Sequence, residues 1–156
     1  MNYETVQKPA FTIVGIQIKT DNQRGIKDFP AHWQRFYSEN IQEKILHKVD
    51  DQVLALYTDY EGDYTKPFSF IIGCHVSRVE SVLAADLVSK FIPQAYYAVF
   101  TAEGLYPESL INTWMHIWKC NVKRAYKADF EEYEPPKEKG CFIGNHKTVR
   151  IFIGID

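Results

Sequence analysis

Between Tyr126 and Glu134 the sequence sets carboxylates among aromatic rings, Tyr-Lys-Ala-Asp-Phe-Glu-Glu-Tyr-Glu, shortly after a segment that carries Trp114 and Trp118. Aromatic faces and a carboxylate withdrawn from water both attract organic cations, so this combination points to recognition of a cationic or flat compound. In an extended strand alternate side chains share a face, which puts Asp129, Glu131 and Tyr133 on one side and Phe130 and Glu132 on the other. Spacing alone leaves a second reading open, in which Glu131 is a solvated strand residue paired with a lysine or arginine. Trp114 and Trp118 lie four apart on one helical face, which serves either as core packing or, at one edge, as a pocket wall. Trp33 and Tyr37 carry the same ambiguity on an earlier helix. Tyr57 and Tyr97, each in a strand-like run, are further candidate lining residues, since a tyrosine ring can meet a ligand while its hydroxyl stays wet.

Other chemistries lack their residues. His32, His47, His75, His116 and His146 are scattered, and no Cys/His cluster has metal-ligand spacing, so neither a metal nor another cofactor is expected. There is no Gly-x-Ser-x-Gly turn and no glycine-rich phosphate loop, which removes support for serine-type catalysis and for nucleotide binding. The formal net charge is -2 with acids and bases interspersed, so no basic stripe exists to meet a phosphate backbone and no direct nucleic-acid contact is expected. Cys74, Cys120 and Cys141 are odd in number and form no Cys-x-x-Cys pair, which reads as reduced thiols in a cytoplasmic protein. Residues Met1 to Ala10 contain no apolar leader segment, and no apolar run approaches the roughly 18 residues of a membrane span, so a soluble protein without membrane contact is expected.

The elements that must position these residues follow from pattern. With 156 residues, 46% of them apolar, the chain is long enough for one domain over 1–156 with a core of its own. Phe11–Thr20 is β-branched and reads as a strand whose Gly15 marks a bulge or a close approach. From Pro30 the apolar residues Trp33, Tyr37, Ile41, Ile45 and Val49 recur every fourth position, predicting a helix. Strands are predicted at Val53–Tyr60 and Phe68–Val76 around a turn-rich connector, and Ser77–Phe91 reads as a short helix or an irregular link between halves. After Pro93 the order returns: a strand from Ala95 to Thr101, a helix opened by Pro107, a strand from Ala125 to Tyr133 and another from Val149 to Ile155. Residues 135–148 read as a long loop bordering the site. Strand, helix, strand, strand thus occurs twice, over approximately 11–77 and 93–156. The predicted fold class is α+β, a pseudo-twofold pair of βαββ halves whose curved antiparallel sheets carry helices on one side, with a ligand cleft between the halves.

In the order of these elements the chain resembles the GyrI-like effector-binding domains that occur in AraC-type and MerR-type multidrug regulators and as free-standing proteins. The likeness is carried by the Leu110-Ile-x-x-Trp-x-x-Ile-Trp118 helix, by Asp129-Phe-Glu-Glu-Tyr133, which is similar to the family's Phe-Glu-x-Tyr motif, and by Ile151-Phe-Ile-Gly-Ile155. Leu56-Tyr-Thr-Asp-Tyr-Glu61 and Ile72-Gly-Cys-His-Val76 resemble the stand-alone, integron-cassette branch. The resemblance implies a cleft in which a glutamate among aromatics, Glu131 on the motif match, receives cationic lipophilic compounds. With ten residues before Phe11, a fused helix-turn-helix is not expected. The leading expectation is therefore a stand-alone binding or drug-sequestering domain with a link to transcriptional regulation, its site formed by Glu131, Tyr133, Trp118, Trp114, Tyr97, Tyr57 and Tyr37. Two alternatives stand beside it. One is a GyrI-like hydrolase of electrophilic compounds with Glu131 as general base and Tyr133 as hydrogen-bond donor. The other is an adaptor that presents the acidic tract Glu131–Glu134 to a protein partner, or that pairs with a second copy of itself.

Overall fold

Two strands buried on both faces, β3 (Val53–Thr58) and β7 (Arg124–Tyr133), pair antiparallel near the middle of one eight-stranded sheet. The computed structural model describes residues 2–134 and 146–156, without the side chain of His146. The other strands are β1 (Glu4–Lys8), β2 (Phe11–Thr20), β4 (Phe68–Val76), β5 (Val88–Ile92), β6 (Ala95–Leu105) and β8 (His146–Ile155). Their order across the sheet is β1-β6-β8-β7-β3-β4-β2-β5, every pairing antiparallel. Three helices, α1 (Gly25–Ser38), α2 (Ile41–Lys44) and α3 (Glu108–Lys119), cover one face. The predicted order thus occurs as β2-α1-β3-β4 and as β6-α3-β7-β8, with α2 a short appendix to α1.

Alternation sorts the side chains into two layers. Val14, Ile16, Ala55, Tyr57, Phe70 and Ile72 point towards α1 and α2, where Phe36, Ile41 and Ile45 meet them. Ala98, Phe100, Ile151 and Ile153 meet Ile117 of α3. The intervening residues Ile13, Leu54, Leu56, Ile71, Phe130 and Phe152 form a second core on the other face. Ile92 of β5 and Val6 of β1 both pack into that second core, so the sheet bends to bring its two edges over its own far side. Burial on both faces explains why β3 and β4 read as continuous apolar runs.

Three expectations are corrected. The first helix begins at Gly25, so Pro30 lies inside it. The start is set by Asp21, whose Oδ1 accepts the Arg24 backbone N–H at 2.7 Å and whose carbonyl accepts that of Gly25 at 2.8 Å. That helix does not continue to Val49 either, because Asn40 takes the left-handed conformation at φ 51° and breaks it after Ser38. The segment after Ser77 ends in strand β5, and the N-terminal residues form strand β1. Both are five-residue edge strands with polar or charged members, too short to show a period of two. The long loop expected at 135–148 falls mostly outside the described residues, as does Cys141. Among the described residues, no helix is long and apolar enough to cross a membrane.

Gly15 and Gly73 face each other across the β2–β4 ladder, and a Cβ on Gly73 would lie 2.1 Å from the Val14 carbonyl oxygen. The strands approach so closely that only glycine fits, which resolves the choice between bulge and close approach. Gly73→Ala is expected to lower the unfolding free energy by about 1–3 kcal/mol in urea denaturation. Gly62→Ala, where the new methyl meets only the flexible Lys66 side chain, should change it by less than about 0.5 kcal/mol.

Candidate functional site

The β3–β7 register brings the chemistry together. Ala55 pairs with Glu131, Tyr57 with Asp129 and Val53 with Tyr133, so Tyr57, Asp129, Glu131 and Tyr133 all project from the helix-bearing face. α1 and α3 flank this seam rather than covering it. Between them lies a cavity of about 660 Å³, within the ordinary range for small-molecule sites. Phe29 and Trp33 of α1, Leu110 and Trp114 of α3, and Tyr60 and Phe68 beside β3 and β4 give it an apolar, aromatic wall.

Glu131 is the one acidic residue lining that cavity among the described residues, and it is 2% exposed. Its Oε2 accepts the Tyr57 hydroxyl at 2.8 Å and the Trp114 indole N–H at 2.7 Å, and its Oε1 accepts the Tyr133 hydroxyl at 2.5 Å. Among the described residues no lysine, arginine or histidine forms an ion pair with it. The reading of Glu131 as a solvated, paired residue is therefore overturned. Burial raises its pKa above the ordinary 4.5, against the partial pull of the three donors, Tyr133 first. Burial and the adjacent Glu131 charge push the Tyr57 and Tyr133 phenols well above their usual range, so both remain protonated donors.

Asp129, two residues back on the same face, is balanced within the protein. It accepts Arg124 Nη2 at 2.7 Å, the Tyr60 hydroxyl at 2.5 Å and the Gly154 backbone N–H at 2.8 Å. A register shift in the β7–β8 pairing between Arg124 and Asp129, with Tyr126 at φ 53°, lets Arg124 fold back onto this acid. At the outer rim Tyr64 stacks on Trp118 at 6.0 Å with rings 13° apart, and Asn22 Nδ2 donates to the Tyr64 carbonyl at 2.8 Å.

Of the residues expected at the site, Glu131, Tyr133, Trp114, Trp118 and Tyr57 line the cavity. Tyr97 does not. In β6 it is Ala98 and Phe100 that face α3, which turns Tyr97 to the opposite side of the sheet against Phe130 at 5.3 Å. Tyr37 is also outside: the buried face of α1 runs through His32 and Phe36, leaving Tyr37 61% exposed and stacked on Trp33. Sequence reasoning missed Tyr60, Tyr106 and Arg124, which lie beyond or at the ends of their strands, where alternation carries no information. Of the acidic tract only Glu134 is exposed, while Glu131 and Glu132 are buried. Glu132 is 5% exposed on the far face and forms ion pairs with Arg150 and Lys8.

A single curved antiparallel sheet with helices on one face and a buried carboxylate in an aromatic cavity is consistent with a GyrI-like effector-binding domain. The chain belongs to the integron-associated effector binding protein family, whose model matches residues 4–155. An integron cassette protein from Vibrio cholerae has a similar structure, with a TM-score of 0.74 and 26% identity over 99% of this chain and 96% of that one. SAV2435, solved bound to tetraphenylphosphonium, also superposes with a TM-score of 0.74, at 22% identity over 100% of this chain and 94% of its own. A Bacillus subtilis strain 168 protein named "Putative transcriptional regulator protein YobU" is 24% identical over 148 residues, spanning 90% of this chain and 89% of its own length.

Because the Trp114 indole donates directly to Glu131, protonation of that carboxylate is expected to change tryptophan emission. An acid titration of the free protein should show an inflection above 4.5. Tyr133→Phe, which removes a donor to the charged form, should move the inflection upwards, and Glu131→Gln should abolish it.

Proposed function

We propose that the protein is a binding domain for cationic, lipophilic aromatic compounds, with Glu131 as the fixed counter-charge. One observation carries this reading: a carboxylate 2% exposed, facing an aromatic cavity and held by three neutral donors, with no ion-pair partner among the described residues. An effective desolvation cost of several kcal/mol for a buried ion is offset in part by hydrogen bonds to charge at about 1.5–3 kcal/mol each. A guest cation supplies the missing Coulombic partner in a setting where water does not screen it. Rings such as Trp114, Tyr57 and Trp33 add contact area and attraction to positive charge. The tetraphenylphosphonium bound by the structurally similar SAV2435 is a compound of this class and supports the reading by analogy of fold. We further infer that β2-α1-β3-β4 and β6-α3-β7-β8 are related halves, with the cavity at their junction, and that the domain works as a stand-alone sensor or sequestering protein.

Binding is favoured over hydrolysis for a chemical reason. Both Glu131 oxygens already accept hydrogen bonds, Oε2 from Tyr57 and Trp114 and Oε1 from Tyr133, which suits the carboxylate better to a fixed counter-charge than to proton abstraction from a substrate or water. A ligand recovered with unchanged mass after long incubation is the corresponding outcome.

The measurement that tests the proposal compares N-methylacridinium with neutral acridine at pH 8 by tryptophan quenching. Glu131→Gln should weaken the cation by about tenfold or more and leave the neutral ring within about twofold. Equal losses for both compounds would remove Glu131 as the basis of selectivity. The pH dependence has a definite sign. Since the folded pKa is raised, the contribution of Glu131 to stability is fully present below 4.5 and is lost as pH rises through the folded value. A cation binds the ionised form, so its affinity should fall as pH drops through that same raised value, and binding there should release a proton.

A further inference from the structure

Hydrogen bonding inside the cavity limits how its acid can meet a guest. A carboxylate has about four lone-pair sites, and three at Glu131 are occupied, two on Oε2 by Tyr57 and Trp114 and one on Oε1 by Tyr133. The residue is 2% exposed, so almost none of the remaining acceptor surface is presented. Among the described lining residues Glu131 is the only anion, and the other side chains able to accept are neutral phenols and the Asn22 amide. Trp33, Trp114, Trp118 and Arg124 bring donors alone. The cavity thus holds a negative charge whose field reaches a guest while its oxygens are taken. Such a wall suits a positive charge that has nothing to donate. A protonated amine leaves hydrogen bonds to water behind on entry and finds no free carboxylate oxygen in exchange, whereas a quaternary ammonium or a phosphonium has none to lose.

Resting on the cation-binding reading above, we propose that the site selects permanently charged cations without N–H groups, such as quaternary ammonium and phosphonium compounds, over protonated amines of the same shape. Tyr57, Trp114 and Tyr133 set this specificity, because they occupy the oxygens that a guest N–H would otherwise reach. The Coulombic attraction persists across the spacing their hydrogen bonds impose. N-methyl groups, over which the positive charge is spread, pack against the ring faces of the wall. Tetraphenylphosphonium, held by SAV2435, likewise carries no N–H.

Two guests that differ in one group test this at pH 8, trimethyl(naphthylethyl)ammonium and protonated dimethyl(naphthylethyl)amine, titrated by calorimetry. Both carry one positive charge, and the second has an N–H where the first has a methyl. Burying that methyl accounts for a preference of about fourfold. The wild-type protein should prefer the quaternary compound by about twentyfold or more, the excess coming from the unmet N–H. Tyr133→Phe uncovers Oε1, and Tyr57→Phe relieves Oε2 of one of its two donors. Each substitution should bring the preference back towards about fourfold by giving the N–H an oxygen to meet. Loss of a donor also raises the Glu131 pKa, which weakens both cations alike, so the ratio of their affinities is the readout. A wild-type preference of about fourfold or less, or a larger one that neither substitution reduces, overturns this inference and leaves cation binding standing. If neither compound binds the wild type, the cation-binding reading itself falls.

Discussion

The structure depends on holding one carboxylate, 2% exposed, at the floor of an aromatic cavity with hydrogen bonds alone. Glu131 has no ion-pair partner among the described residues, so neutral donors from three places hold it: Tyr57 on β3, Tyr133 on β7 and Trp114 on α3. Each donor is itself fixed by packing. Tyr57 lies against Phe70 and Phe68, Tyr133 against Trp33, and Trp114 against Tyr57. The site is thus continuous with the core beneath it, and the rings that shape the cavity also orient the hydrogen bonds around the acid. Asp129 shows the contrasting solution on the same strand face, where Arg124 neutralises the charge inside the protein. The two acids differ in that Asp129 has a cation partner while Glu131 has none among the described residues.

Much of this arrangement is legible in the residues. Alternation along 129–133 sorts the acids correctly: Asp129 and Glu131 share the cavity-facing side, and Glu132 points to the far face with Lys8 and Arg150. The Phe-Glu-x-Tyr likeness singles out Glu131, and the helix after Pro107 brings Trp114 and Trp118 to one side. Phe11–Thr20 and Phe68–Val76 fall within the expected bounds: the second is buried on both faces nearly throughout, and the first is β-branched and ends in the Asp21 turn.

What could not be read has identifiable causes. A tyrosine fits a core and a pocket equally well, and only the register of β6 decides that Tyr97 belongs to the far core. The every-fourth stripe from Trp33 to Val49 overruns a real break, since Asn40 in the left-handed region redirects the chain without interrupting the apolar spacing. Arg124 reaches Asp129 through a register shift, a departure from strand regularity that no periodic pattern announces. Tyr60 lies past the end of β3, after Asp59 at φ 52°, where the rule of alternation has already lapsed.

The stacked pair at the cavity rim distinguishes two properties that are often treated as one. Tyr64 belongs to the connector between β3 and β4, and Trp118 belongs to the last turn of α3, so neither contacts Glu131 or Arg124 through a hydrogen bond. The two rings add apolar wall to the cavity and take no share in the hydrogen bonds around Glu131. Apolar contact at the wall and charge recognition at the floor thus rest on separate residues, and the two can drift independently as sequences diverge.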